Sequence, residues 1–240
     1  MLTPRWPVVL FDLDGTLADT IGLIVASYNH AFRQVMGTER DEAEIRAWIG
    51  RPLLESFARV APEHAEELDR VYREWNIEHT LDLLRDYPGL SELLVDLGDA
   101  GVRTGVVTSK RRETAVLALR GVGIEELIPL LATLEDTERH KPLPDPLLHA
   151  ASLLGVDPRD CVYVGDAAVD IEAAHAAGMA AVGVTWGAGL PDDLEAARPD
   201  AVVGSAHELR EVLGLVPLSS PLSSPLSSQL AAQRGGEAGD

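Results

Sequence analysis

Acidic residues, hydroxyls and a lysine stand in this 240-residue chain close to where short apolar runs end. Phe11 runs into Asp12-Leu13-Asp14-Gly15-Thr16, Val107 into Thr108-Ser109-Lys110, and Val164 into Gly165-Asp166; Lys141 opens the segment Lys141-Pro142-Leu143-Pro144-Asp145. If the apolar runs are strands of one parallel sheet, their ends converge and these groups share one edge. Oxygen donors beside a phosphate oxygen are what Mg²⁺ requires, because it is a hard cation that keeps several waters. The set therefore points to a site for a divalent cation and a phosphoryl group. None of the seven histidines has metal-ligand spacing, and His140, beside Lys141, reads as a surface loop residue.

Each residue type also has a plainer role. Asp-x-Asp-Gly-Thr suits a tight turn, Thr108 or Ser109 suits a helix N-cap, and Asp166 a cap with Asp170 as a solvated helix residue. Lys110-Arg111-Arg112 offers a second source of positive charge in place of Lys141. What singles the groups out is that all of them occur together.

The elements that must hold them are readable from periodicity. Apolar runs at 8–11, 102–107, 130–132, 161–164, 180–184 and 201–203 are each followed by a helical pattern, the signature of a parallel sheet covered by helices on both faces. Between the first two runs there is no strand signal. Ile21, Ile24, Val25, Tyr28, Phe32, Val35 and Met36 keep helical spacing, as do Leu68, Val71, Tyr72 and Trp75, so residues 18–84 are expected to form an all-helical insert. Asp145 before Pro146 is expected to cap a helix that Gly155 ends, and Gly178 to close the helix carrying Asp170. The expected core is 1–17 with 85–214. Three Pro-Leu-Ser-Ser units lead into a Gly-rich end, so 215–240 is expected to be a flexible tail.

Composition excludes several partners. The chain has 20 Lys plus Arg against 39 Asp plus Glu, a formal charge of −19, which opposes binding to nucleic acid or to anionic lipid. There is no apolar run of about eighteen residues to span a membrane. A single cysteine, Cys161, flanked by valines in an apolar run, fits a buried strand position and a reducing cytoplasm.

In the order and spacing of these four motifs the sequence resembles the haloacid dehalogenase superfamily of phosphohydrolases, over roughly residues 5–214. Ile49-Gly50-Arg51-Pro52-Leu53 and Tyr87-Pro88-Gly89 look like its phosphoglycolate phosphatase branch. The resemblance implies a Rossmann-like α/β core with the helical insert as a cap domain. It implies Asp12 as the nucleophile that becomes an aspartyl-phosphate, and Asp14 as general acid and then base. Thr108, with Ser109, and Lys141 would hold the phosphoryl group, and Mg²⁺ would sit on Asp12, Asp166 and the Asp14 backbone carbonyl. Asp170 would hold metal-bound water or orient Lys141. Ala167 departs from the pattern, which often has a small hydroxyl residue or asparagine there. The implied substrate is a small phosphorylated metabolite, 2-phosphoglycolate first, with Arg51 either gripping its carboxylate or merely solvated. Pyrophosphate hydrolysis and a β-phosphoglucomutase-like isomerisation are the alternatives.

Overall fold

The computed structural model describes residues 4–215. Its strands are β1 (Val8–Phe11), β2 (Ala18–Asp19), β3 (Arg85–Asp86), β4 (Arg103–Val107), β5 (Leu130–Ala132), β6 (Cys161–Gly165), β7 (Ala180–Val184) and β8 (Ala201–Val203). Six of them form one sheet in the order β5-β4-β1-β6-β7-β8, with every neighbouring pair parallel. Because β1 is central and entirely buried, it carries no polar face. Its side chains alternate between two cores. Val9 and Phe11 pack with Leu93, Leu97, Ala115 and Leu209 on one side, and Val8 and Leu10 with Leu147, Ala150, Ile171 and Leu194 on the other. Each such burial removes an aliphatic or aromatic side chain from water, worth about 1.5–3 kcal/mol.

The two cores hold the covering helices α5 (Leu90–Asp99), α6 (Arg112–Gly121), α7 (Asp145–Leu154), α8 (Ala168–Ala176), α9 (Pro191–Ala196) and α10 (Ala206–Val212), numbered after four helices of the insert. Those four are α1 (Ile21–Met36), α2 (Glu42–Arg46), α3 (Leu53–Val60) and α4 (Ala65–Leu83). They share a third core centred on Tyr28, whose ring lies 5.2 Å from Trp48 and 5.0 Å from both Phe57 and Tyr72. The insert leaves and rejoins the sheet domain through β2 and β3, which pair antiparallel.

Two local expectations are corrected. Pro144 occupies the N-cap of α7, so Asp145 is its first helical residue and Pro146 its second. Leu215, assigned to the tail, is 3% exposed and packs in the first core, and its N–H donates to the Arg210 carbonyl. Residues 216–240, the rest of the expected tail, lie outside the described residues.

Candidate active site

Register fixes where the reactive groups meet. Phe11 lies level with Val106 and with Val164, so Asp12 emerges beside Val107 and Gly165, one step short of Thr108 and Asp166. From β1 the chain goes on to β4 on one side, and later to β6 on the other. The strand order reverses there, and a crevice at the carboxyl ends is the outcome. Gly15, at φ +79°, turns the chain after Asp14, and a Cβ there would collide with the Asp166 carboxylate.

Asp12 is 2% exposed and Lys141 3%. Lys141 donates to Asp12 Oδ1 at 2.8 Å, to Asp170 Oδ1 at 2.6 Å and to the Tyr163 hydroxyl at 3.1 Å. An ammonium has three N–H groups, and here three acceptors meet them. The Tyr163 hydroxyl in turn donates to the Val107 carbonyl at 2.6 Å, tying Lys141 to the residue before Thr108. Asp170 uses its second oxygen to accept from the Ala167 N–H at 3.0 Å, capping α8. Both of its oxygens are therefore engaged in holding Lys141 and the helix start.

Asp166 accepts from Thr16 Oγ1 at 3.1 Å and from the Ala188 N–H at 2.7 Å. Ala188 also packs into the insert's core, so the loop that fixes Asp166 touches both domains. Asp14 stands apart from the other carboxylates: its Oδ1 accepts from Thr20 Oγ1 at 2.7 Å and from Lys110 Nζ at 2.9 Å. Thr108 Oγ1 accepts from the Lys110 N–H at 3.2 Å, and Ser109 Oγ donates to the Gly50 carbonyl of the insert at 2.9 Å. Arg51 is exposed on the same loop as Gly50.

Oxygens of Asp12, Asp166 and Asp170 lie within 4.8 Å of one another, close enough to hold one cation. Burial pushes the Asp12 carboxyl up to about 7, with Lys141 opposing the rise and Asp170 and Asp14 adding to it. Burial, then the charges of Asp170 and Asp12, push Asp166 up to about 8. Burial works against the Lys141 charge too, but Asp12 and Asp170 overcome it and hold its pKa well above the usual value. Two carboxylates that resist ionising side by side, on an all-oxygen donor set, suit a hard divalent cation.

A cavity of about 260 Å³ lies over these groups. Asp12, Asp14, Thr108, Ser109 and Lys110 line its sheet side, and Tyr28, Trp48, Arg51 and Arg73 its helical side. Asp12, Asp14, Thr108, Ser109, Lys141, Asp166 and Asp170 gather at this edge, whereas Cys161 begins β6 at its other end. Arg51 and Ser109 meet the cavity from opposite domains, and the Asp14 side chain pairs with Lys110 rather than joining the carboxylate cluster. His140 lines the cavity as well, although its place in the sequence reads as surface.

Other contributors were not foreseen. Tyr163 reads in sequence as one more apolar strand residue, and Thr20 as the polar edge of a helix. Trp186, whose indole donates to the Thr16 carbonyl at 3.1 Å, follows an apolar run without a motif of its own. An isolated aromatic polar group inside a buried strand was the one available signal, for Tyr163, since a buried hydroxyl needs partners.

Residues 9–184 match the family described as haloacid dehalogenase-like hydrolase. Pyrophosphatase PpaX of Bacillus velezensis is 35% identical over 215 residues, 90% of this chain and 100% of that protein. Among solved structures, a hydrolase from Pseudomonas syringae is 28% identical, with TM-score 0.77, covering 87% of this chain and 98% of that one. A predicted phosphoglycolate phosphatase from Haemophilus somnus is 27% identical, with TM-score 0.75, covering 86% of this chain and 97% of that one.

Proposed function

The chain belongs to the haloacid dehalogenase-like hydrolases, and from that premise we propose that it is a Mg²⁺-dependent phosphatase acting through a phosphorylated Asp12. The observation that carries this reading is the buried Lys141, which grips Asp12 Oδ1 while Asp170 and Tyr163 take its other two donors. A lysine held this way fixes the rotation of the Asp12 carboxylate and balances its charge, which is what a nucleophile at a strand end needs.

In the first step an Asp12 oxygen bonds to phosphorus as the bond to the leaving oxygen breaks, and Asp14 gives that oxygen a proton. In the second, Asp14 takes a proton from water, the water oxygen bonds to phosphorus, and the aspartyl–phosphate bond breaks to release phosphate and free Asp12. Thr108 and Ser109 line the cavity where the phosphoryl oxygens would rest; the Thr108 hydroxyl keeps its proton for one of them, and the Ser109 hydroxyl would have to leave the Gly50 carbonyl to do the same. Asp12, Asp166 and the Asp14 carbonyl would hold Mg²⁺, with Asp170 behind Lys141. When bound, the cation supplies positive charge to the transferring phosphoryl group.

The substrate is proposed to be a small phosphate ester or anhydride, since the helical insert roofs the cavity. Pyrophosphate stands first, supported by the name of the Bacillus velezensis relative. 2-Phosphoglycolate is the second reading, supported by Thr108-Ser109-Lys110 and Gly50-Arg51-Pro52-Leu53 and by the Haemophilus somnus neighbour. Arg51 would meet the carboxylate in that case. A cytoplasmic location goes with this reading, supported by a single cysteine buried in β6, whose thiol burial pushes up to about 11. No described helix is long and apolar enough to cross a membrane.

The test is phosphate release from pyrophosphate, 2-phosphoglycolate, glucose 1-phosphate and a nucleoside monophosphate, with Mg²⁺ and after EDTA. Turnover that requires Mg²⁺, with pyrophosphate at least tenfold ahead in kcat/KM, is expected. Turnover that survives EDTA would overturn the cation assignment, and a tenfold lead for another substrate would overturn the choice of pyrophosphate.

A further inference from the structure

The cavity wall away from the carboxylates holds Arg73, which is partly buried, with the exposed Arg111 and Arg51. Arg73 comes from the middle of α4 and Arg111 is the residue that caps α6, so the pair spans the boundary between insert and sheet domain. The chain as a whole carries −19, which makes a cationic wall a local exception rather than a reflection of composition.

Arg73 is only partly matched. Its Nη2 pairs with Asp69 one turn earlier on α4, whereas its Nε is buried without a hydrogen-bond partner. A buried donor left without a partner is costly, and native proteins keep few of them. Burial and the charge of Arg111 both pull the Arg73 pKa below its ordinary value, with Glu135 opposing, so the two guanidinium groups repel each other. Glu55 and Asp69 are the acidic groups in the same wall, and neither meets the Arg73 Nε. One anion held between Arg73 and Arg111 in the cavity they both line would remove the repulsion. The first turn of α6 is already engaged, Glu135 accepting from the Arg112 N–H and Thr114 donating to the Arg111 carbonyl, so the subsite rests on the guanidinium groups.

We infer that Arg73 and Arg111, together with Arg51 on the same cavity, form a second anion subsite, which takes the anionic group of the substrate that lies away from the reacting phosphorus. The cavity then selects small phosphates with two separate anionic groups, either a second phosphoryl group or a carboxylate. This rests on the reading of the Asp12 edge as the phosphoryl-transfer site.

The test compares kcat/KM for pyrophosphate and 2-phosphoglycolate with that for p-nitrophenyl phosphate, whose leaving group has no second anion. The wild type, Arg73→Gln, Arg111→Gln and Arg73→Lys are measured side by side. Arg111 is exposed, so its variant stays folded even if loss of the Arg73–Asp69 pair harms α4. The ratio of the better dianionic substrate over p-nitrophenyl phosphate is expected to fall at least tenfold in both Gln variants, mainly through KM, with part of it restored in Arg73→Lys. Which dianionic substrate loses most tells a second phosphoryl group from a carboxylate. An unchanged ratio in Arg111→Gln, whether or not overall rates drop, overturns the subsite. A wild type that releases phosphate from none of the three overturns the phosphatase reading itself.

Discussion

Lys110 donates to Asp14 Oδ1 at 2.9 Å, an ion pair that joins the loop after β4 to the loop after β1. Thr20 Oγ1 donates to the same oxygen, at 2.7 Å. Asp14 is thereby fixed by one oxygen, and Oδ2 is the one with no donor among the described residues. A proton delivered to the leaving group and later taken from water would pass through that oxygen. Lys110→Met frees the carboxyl to rotate, and kcat is expected to fall about tenfold, the equivalent of roughly 1.4 kcal/mol of orientation, with KM less affected. Steady-state kinetics on pyrophosphate check this, and an unaltered kcat would separate Lys110 from the proton transfer.

Asp12→Asn and Asp14→Asn should fail in different ways. The amide at position 12 cannot form the acyl phosphate, so turnover is lost and no protein-bound phosphate is trapped on acid quench. Its fold should survive, because Lys141 keeps Asp170 and Tyr163 as partners. Asp14→Asn retains the nucleophile and loses proton transfer, an effect typically worth about 10²- to 10⁴-fold. Quenched-flow phosphate trapping with melting curves distinguishes the two, and near-native turnover by Asp12→Asn would rule out the covalent route.

The side chains that touch one another across the sheet explain what could be read in advance. The six strand runs were legible because parallel strands buried on both faces are short, apolar and closed by polar residues. Asp12, Thr108, Lys141 and Asp166 were legible for the same reason, since each lies at or just beyond a strand end or in a recognisable motif. Two-residue β2 and β3 left no trace, because a period needs more than one repeat to show. The pairing of Lys110 with Asp14, 96 positions apart, is a product of tertiary packing, and spacing alone offered the same lysine as a rival of Lys141. By position alone Asp170 reads as a solvated helix residue, and only the family resemblance places it beside Lys141, to which it is hydrogen-bonded. It is completely buried, because α8 turns its first turn towards Lys141. Leu215 shows the reverse case: its neighbours in sequence are low-complexity, yet its own side chain completes a core.

Tyr163 carries a prediction of its own. Tyr163→Phe keeps the ring and removes both the acceptor for Lys141 and the donor to the Val107 carbonyl. A loss of about 1–2 kcal/mol in stability is expected from the deleted bonds. The ammonium then has an N–H without a partner and a looser hold on Asp12, so kcat should fall along with stability. Urea unfolding and kinetics on the same preparation check the pair of effects. Full kcat in Tyr163→Phe would mean that Asp170 alone suffices to place Lys141.

The two raised carboxylates set the pH dependence of cation binding. With no cation, Asp12 sits at about 7 and Asp166 at about 8, against ordinary values near 4 in an unfolded chain. For an acid whose folded pKa is raised, the contribution to stability is complete below the unfolded value and is lost as pH climbs through the folded one. Cation-free protein should therefore lose stability between about pH 4 and pH 8 from these groups. Mg²⁺ must displace the same protons, so its affinity should rise from pH 6 to pH 8 by tenfold or more and level off above about pH 8. The Tm increase on adding Mg²⁺ should likewise be larger at pH 8 than at pH 6. Calorimetry in two buffers of different ionisation enthalpy counts the protons released, and Asp12→Asn should release fewer. An affinity that stays flat from pH 6 to pH 8, with no proton release, would mean that Mg²⁺ binds away from Asp12 and Asp166.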